Sequence, residues 1–453
     1  MPAYLDRGSK IIPTKMIRNC TQYLAVAILF LIGIIALNGF EKSDAKGRPK
    51  PYDGGMATVE IKSKMTPGHQ NRTTVKILPE VNSYGQSSGI ALAELKTPFA
   101  ANGSKTNGRM HILLMAGYRT GSTFTAELFN QHDNFFYVFE PGRLLTKCMT
   151  MSKLPESVFP AKHVEMLDKM FQCRFDNMDC YFNEISLMST KGRRREIRSA
   201  VNDELCPMNR TGNSIQACTP LTPNLLGELC RGRKHVAIKS IRVRHINEAI
   251  HLIRDENINA KVVHVIRDPR GRMTSWLEMK KGVKAKYGSD DVDRSALDTT
   301  NAYCRKWLES YIIGRSMSST YFKDRYLFVR YEDMAERPFE TAEKLYRDLG
   351  LDMPGNVREW LAENTSGRKP DGGRYGTSRN SRKQAQKWRL QLSLGAVRAV
   401  ENLTACRSMM ATLGYLAAQG EDALNAKNLS LVDKVPEFHP ENFYNDWRYV
   451  EKG

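Results

Sequence analysis

The chain has 453 residues and a net charge of +19, from 68 Lys and Arg against 49 Asp and Glu, and 41% of its residues are hydrophobic. That apolar share supports a sizeable core and excludes a wholly disordered chain; the length suits one large domain with appendages, or two domains. The positive excess points to a polyanionic partner (nucleic acid, an anionic membrane or an acidic polysaccharide), and composition does not choose among them.

Residues 1–22 form a polar, basic tail with Arg7, Lys10, Lys15 and Arg18. Residues 23–40 are apolar apart from Tyr23, Asn38 and glycines, which predicts a short transmembrane anchor. Charged Glu41 and Lys42 follow directly, and Ser43-Asp44-Ala45 is a feeble cleavage site, so the segment reads as a retained anchor rather than a signal peptide. Four basic residues precede it and four (Lys42, Lys46, Arg48, Lys50) follow, so loop charge does not set its orientation. Glycosylation sequons do lean one way. Those at Asn71, Asn102, Asn209, Asn364, Asn402 and Asn428 follow the anchor, and only Asn19 precedes it. Cys20 also precedes it, leaving Cys148, Cys173, Cys180, Cys206, Cys218, Cys230, Cys304 and Cys406, an even set suited to as many as four disulfides; the alternative is a reduced protein with buried thiols. Together these features predict a single-pass type II membrane protein with a lumenal body, which sets nucleic acid aside as the partner.

Residues 41–109, rich in Gly, Pro, Ser, Lys and Asn, predict a flexible stem, and the compact domain spans 110–453. It opens on the buried strand His111–Ala116, then the small-residue turn Tyr118-Arg119-Thr120-Gly121-Ser122-Thr123-Phe124, then a helix over Thr125–Asn130. Strand, tight turn and helix make an anion site: free N–H groups of the first turn converge, Gly121 admits close approach, Arg119 adds charge, and Ser122, Thr123 and Thr125 offer hydroxyls. The turn lacks the GxxxxGK-Ser/Thr pattern of nucleotide-binding P-loops, which occurs nowhere in the chain.

Phe135–Phe139 predicts a second strand ending at Glu140-Pro141. Residues 148–234 are the least regular stretch and are read as a disulfide-tied insertion over the sheet's ligand edge. Their run Lys191–Arg198 is either a solvated surface or a track for an acidic glycan. Val236–Ile238 is a third strand with Lys239 at its end, and a helix follows over Ile246–Asp255. Val262–Ile266 is a fourth strand, after which Asp268 is placed to cap a helix with Pro269 at its first position. Arg267 then stands at the carboxyl end of a strand, and Ser275 lies two turns into the helix on the face of Asp268, so that Arg267 and Ser275 can share one phosphate; otherwise Arg267 and Asp268 are a surface ion pair. Further expected elements are a helix over Tyr303–Met317, a strand over Tyr326–Val329, and a helix over Pro338–Leu349 with Phe339, Ala342, Leu345 and Tyr346 as its apolar stripe. The basic, Gly-rich stretch 366–389 suits a flap anchored by Trp388, and Glu421–Gly453 is expected to pack back on the domain. The alternation of strands and helices predicts an α/β fold with a mostly parallel sheet flanked by helices.

The turn Tyr118–Phe124 resembles the 5′-phosphosulfate loop of the Golgi carbohydrate sulfotransferases, and Arg267 through Ser275 resembles their 3′-phosphate motif. Phe139-Glu140-Pro141, Val236–Lys239, Val329–Asp333, and Tyr375-Gly376-Thr377 with Arg379, Asn380, Ser381, Trp388 and Arg389 match as well, in order across roughly residues 110 to 420. Within that family the chain resembles the 6-O-sulfotransferases of galactose, N-acetylgalactosamine or N-acetylglucosamine in keratan and chondroitin chains. It implies a P-loop-like sulfotransferase fold, a Golgi location, and 3′-phosphoadenosine 5′-phosphosulfate (PAPS) as donor, held by Tyr118, Arg119, Thr120, Gly121, Ser122, Thr123, Phe124, Arg267, Ser275, Tyr375 and Arg379. It also implies Glu140 as general base, Arg119 at the leaving oxygen and Lys239 at the sulfonate. No metal is expected, since HExxH and CxxC are absent. Gly142-Arg143 departs from the bulky and aromatic residues usual after Phe-Glu-Pro, which bears on acceptor choice. Two other readings stand beside this one: a nucleotide-dependent kinase, disfavoured by the missing Lys-Ser/Thr pair, and a membrane-tethered binder of acidic glycans without catalysis.

Overall fold

The computed structural model of the chain describes residues 108–190, 222–316, 322–367, 378, 380–426 and 428–439. The expected tail, the anchor, the stem up to residue 107 and the basic run Lys191–Arg198 lie outside them, as do Cys206, Cys218, Tyr375 and Arg379. No helix among the described residues is long and apolar enough to cross a membrane.

Five strands, β1 (His111–Ala116), β2 (Phe135–Phe139), β3 (His235–Ser240), β4 (Ala260–Ile266) and β5 (Tyr326–Arg330), form one sheet in the order β2-β3-β1-β4-β5, with every pair parallel. The helices are α1 (Ser122–Asn130), α2 (Pro141–Met151), α3 (Phe159–Phe171), α4 (Asp179–Thr190), α5 (Pro223–Gly232), α6 (Asn247–Arg254), α7 (Pro269–Lys281), α8 (Arg294–Ser316), α9 (Tyr331–Glu336), α10 (Pro338–Leu349), α11 (Gly355–Thr365), α12 (Ser381–Gln386), α13 (Trp388–Gln391), α14 (Leu394–Glu401), α15 (Thr404–Thr412) and α16 (Glu421–Asn425).

The central strand shows why the sheet is covered on both faces. Successive side chains of a strand point to opposite sides. In β1, Leu113 and Met115 join a core with Leu167, Met170 and Phe171 of α3 and Leu252 of α6. Ile112, Leu114 and Ala116 join another with Leu128 and Phe129 of α1 and Leu345 and Tyr346 of α10. With both faces apolar, the strand is a continuous hydrophobic run. A third core gathers Met273 and Leu277 of α7, Tyr303 and Trp307 of α8, Val397 of α14 and Met409 of α15. The Cys304–Cys406 disulfide ties α8 to α15 there.

From β1 the chain departs toward β2 on one side of the sheet, and from β4 toward β5 on the other. The carboxyl ends of the neighbours β1 and β4 therefore flank a topological switch point, where open α/β sheets bind ligands.

Several expectations need correction. The stretch 148–234 is mainly helical where described, and it does not lie over the ligand edge alone. The α3 helix runs from His163, beside Ser240 at the carboxyl edge, to Phe171, whose ring meets His111 at the amino edge. The Cys173–Cys230 disulfide also lies at the amino edge, where Arg109 donates to Cys173 Sγ at 3.2 Å and to the Cys230 carbonyl at 2.6 Å; Cys148–Cys180 joins α2 to α4. Phe339 is 39% exposed and leaves the α10 stripe to Ala342, Leu345, Tyr346 and Leu349. The chain end does return to the domain as far as it is described: Leu424 and Leu431 are buried, and the Phe438 ring packs 5.7 Å from Tyr311.

Candidate active site

The turn after β1 is built by two left-handed residues, Arg119 at φ 68° and Gly121 at φ 82°. Gly121 is the N-cap of α1, and no side chain caps its first turn, so those N–H groups open toward the crevice. A Cβ on Gly121 would stand 2.1 Å from Cδ2 of Tyr331, which explains the glycine: an aromatic ring from α9 lies flat against the turn. Thr120 is fully buried, and its hydroxyl donates to the Gly117 carbonyl at 2.8 Å, closing the turn from within. The Phe124 ring packs 5.6 Å from Trp360, away from the edge. Tyr118 is half exposed and reaches Met279 of α7 with its hydroxyl.

The β4 side is set by a buried charge cluster. Asp268 caps α7 by accepting from the Arg270 N–H at 2.8 Å. The Arg270 guanidinium is fully buried; it pairs with Asp268 at 2.7 Å and Glu401 at 2.8 Å and lies 4.3 Å over the Trp388 ring. This fixes the strand-to-helix turn and presents Arg267, whose guanidinium rests 4.5 Å over the Tyr331 ring and donates to the Arg119 carbonyl at 3.0 Å. Its buried Nε has no hydrogen-bond partner among the described residues. Asp268 thus pairs with Arg270, and the surface ion pair between Arg267 and Asp268 is not formed. Ser275 Oγ accepts from Arg119 Nε at 2.8 Å. The two phosphate-type motifs, 156 positions apart, are in direct contact through Arg119.

On the other flank, Glu140 ends β2. Its N–H donates to the Lys239 carbonyl at 2.9 Å, and it takes a left-handed conformation (φ 43°, ψ 54°) as the N-cap of α2, with Pro141 in the first turn. Arg119 and Glu140 are two of six described non-glycine residues with positive φ; such strain persists where surrounding structure enforces it, often at functional sites. Lys239 lies inside β3 rather than at its end and is 1% exposed. Its ammonium pairs with Glu140 Oε1, lies 4.3 Å over the Phe139 ring and reaches Thr123 Oγ1 at 3.5 Å. Arg242 Nη1 stands 3.6 Å from Glu140 Oε2. Burial, helped by the charge of Arg143 and opposed by Glu140 and Tyr118, pulls the Arg242 guanidinium down from its usual range.

Glu140, Lys239, Arg119, Arg267 and Ser275 thus follow one another along the carboxyl edge from β2 to α7. Arg119 points to Ser275, so the cation touching both the loop and Glu140 is Lys239. His132 precedes β2 at the opposite edge, stacked 5.8 Å from Tyr346, and takes no part in the site. Arg389 binds carbonyls of the chain end at Ala423, Leu424, Ala426 and Leu429 and is structural. Sequence reasoning missed Arg242, and it named Tyr331 only within the matched stretch Val329–Asp333, with no role for its ring. Both sit just past strand ends, and that position was the available signal.

The family described as Sulfotransferase domain matches residues 109–414. Human "Carbohydrate sulfotransferase 1" is 32% identical over 374 residues, covering 77% of this chain and 89% of that protein. Mouse "Carbohydrate sulfotransferase 3" is 28% identical over 343 residues, covering 72% of each.

Proposed function

This chain belongs to the sulfotransferase domain family, among the carbohydrate sulfotransferases, and from that premise we propose that it transfers a sulfonate from PAPS to the 6-hydroxyl of Gal, GalNAc or GlcNAc in glycosaminoglycan or glycoprotein glycans. The observation that carries the reading is the contact of Lys239 with both Thr123 of the α1 turn and the carboxylate of Glu140. One ammonium joins the place where a phosphosulfate fits to the group that can take a hydroxyl proton.

The residues suit the donor on two grounds. The first turn of α1 lacks a side-chain cap, and Arg267 Nε is a buried donor in want of an acceptor. The N–H groups of Ser122, Thr123 and Phe124, with Arg119 and Gly121, would hold the 5′ side, and Arg267 and Ser275 the 3′-phosphate. Tyr375 and Arg379, outside the described residues, are proposed by resemblance alone. When bound, the donor supplies the sulfonate, and its 5′-phosphate oxygen keeps the electron pair as the sulfur–oxygen bond breaks. Glu140 takes the proton of the acceptor hydroxyl as that oxygen bonds to sulfur. Lys239 stabilises charge on the transferring group, with Arg119 assigned to the leaving oxygen. Positioning and cationic stabilisation carry such a transfer, as in phosphoryl transfer.

The proposal includes a type II membrane protein of the Golgi with a lumenal catalytic domain, supported by the apolar segment 23–40, the sequons that follow it and the described disulfides. A transfer assay with radiolabelled PAPS on a glycan panel in excess chelator tests the activity. Label at the 6-hydroxyl of one of the three sugars is expected. Nucleotide and glycan binding without transfer would overturn it in favour of an inactive glycan binder.

A further inference from the structure

The β2–β3 flank carries more positive charge than Glu140 consumes. Lys239 engages one carboxylate oxygen, and Arg242 Nη1 stays 3.6 Å from the other. That Nη1 is buried and makes no hydrogen bond among the described residues, yet the Arg242 side chain keeps 30% exposure, so its tip is held in place while one side stays open. The other basic groups nearby differ. Arg244 is engaged by Glu156 at 2.6 Å and lies 5.4 Å over the Phe159 ring.

Gly142 explains how Arg242 is aimed. A Cβ there would stand 2.7 Å from His163 Nε2 and 3.3 Å from Arg242 Cδ. The missing side chain lets the imidazole and the Arg242 stem pack against the backbone two residues after the candidate base. His163 is packed 5.1 Å from Phe159, with Ser240 Oγ 3.4 Å from its Nε2. Burial, then Arg242 and Arg244, hold it neutral, with a pKa near 4, so it supplies shape rather than charge. Exposed Arg143, on the first turn of α2, adds positive potential beside Arg242.

We infer that Arg242, aimed by Gly142 and His163, recognises an acidic group on the acceptor, a carboxylate or a sulfate ester carried close to the reacting hydroxyl. The inference rests on the proposed transfer reaction and on Glu140 as the base. The donor crevice lies at β1 and β4, so an acceptor reaches Glu140 from the β2–β3 flank, where the Arg242 side chain is 30% exposed. A planar fork suits both anions, and an acceptor anion meets the exposed part of the Arg242 side chain while Nη1 stays buried beside Glu140.

The test uses three oligosaccharides of one backbone, neutral, carboxylated and sulfated, with the wild-type protein and Arg242→Gln. The wild type is expected to prefer an acidic acceptor through a lower KM, and the carboxylated and sulfated arms show which anion it reads. In Arg242→Gln, the ratio of kcat/KM on that acceptor to kcat/KM on the neutral one should fall about tenfold or more, the effect of losing one charge-assisted hydrogen bond. Arg242→Lys, which keeps charge without the fork, should fall between. Gly142→Val, which displaces His163 and the Arg242 stem, should lower the same ratio. Binding of 3′-phosphoadenosine 5′-phosphate certifies that each variant is folded. An unchanged ratio in correctly folded variants would overturn the inference and leave the reaction itself standing. If no acceptor is sulfated, the proposed function fails instead. Direct binding of the same oligosaccharides to the wild type and Arg242→Gln then reads Arg242 alone, with equal affinities contradicting the inference.

Discussion

The carboxyl edge of the sheet holds buried cations on both flanks, in opposite company. At β4, Arg267 meets an aromatic ring and a backbone carbonyl. At β3, Lys239 meets the carboxylate of Glu140, with Arg242 beside it. The buried Nε of Arg267 makes no hydrogen bond among the described residues, and an unsatisfied buried donor is costly, so the first arrangement is complete only when an acceptor arrives. The second is already paired, and it holds a carboxylate in place while balancing its charge. The partner of a cation, more than the number of cations, separates a phosphate-binding flank from a proton-transfer flank.

The substitution with the largest expected effect acts on the second flank. Glu140→Gln keeps shape and removes basicity, so kcat should fall by about 10²–10⁴ with nucleotide affinity nearly unchanged. Near-full turnover in a folded protein would remove Glu140 from this role.

Gly121→Ala probes the first flank. Alanine in the left-handed region costs roughly 1–2 kcal/mol, and its Cβ would meet the Tyr331 ring that carries Arg267. Titration calorimetry should show nucleotide affinity falling about tenfold or more; unaltered affinity would mean that Tyr331 does not position Arg267.

Acid stability sharpens the comparison. His111, His163 and His235 are depressed to about 4, and His264 to about 3, chiefly by burial, from an ordinary 6.5. The unfolded chain takes protons that the folded one refuses, so stability present above 6.5 is lost as pH falls through about 4. Glu332 acts the other way: burial, then Asp268, raises it from 4.5 to about 7, so its contribution is present below 4.5 and lost as pH rises through about 7. Thermal midpoints measured across these windows should fall toward acid in the wild type. Glu332→Gln should gain on the wild type as pH rises toward 7; parallel curves would contradict the assignment.

The smallest effect concerns the surface. Asn364 is only 9% exposed and donates to the Trp360 carbonyl at 2.9 Å, whereas Asn402 and Asn428 are exposed. Glycopeptide mapping of protein made in animal cells should find glycans at Asn402 and Asn428 but not at Asn364. Bare sites throughout the chain would count against a lumenal body.

The strands were legible because buried parallel strands are apolar runs: β1 and β2 begin and end where their hydrophobic stretches do. The start of α8 was not. Its first turns are largely polar, burying only Ala296 and Thr300 before Tyr303, so no stripe marked them. The loop motifs were legible from strand-then-turn order. The contact of Arg119 with Ser275 was not, since it joins positions 156 apart through the adjacency of β1 and β4. Nor does the run Lys239 to Arg244, basic at 239, 242 and 244, say which side chain reaches Glu140. That depends on the space left by Gly142 and filled by His163 from α3.

The division between the flanks is tested most directly by nucleotide binding. Affinities for 3′-phosphoadenosine 5′-phosphate and its 3′-dephospho analogue should be measured on the wild type, Arg267→Ala and Glu140→Gln. Arg267→Ala is expected to lose on the order of 1.5–3 kcal/mol of preference for the 3′-phosphate, and Glu140→Gln to keep that preference whole. Equal losses for both nucleotides in Arg267→Ala, or loss of the preference in Glu140→Gln, would contradict the account.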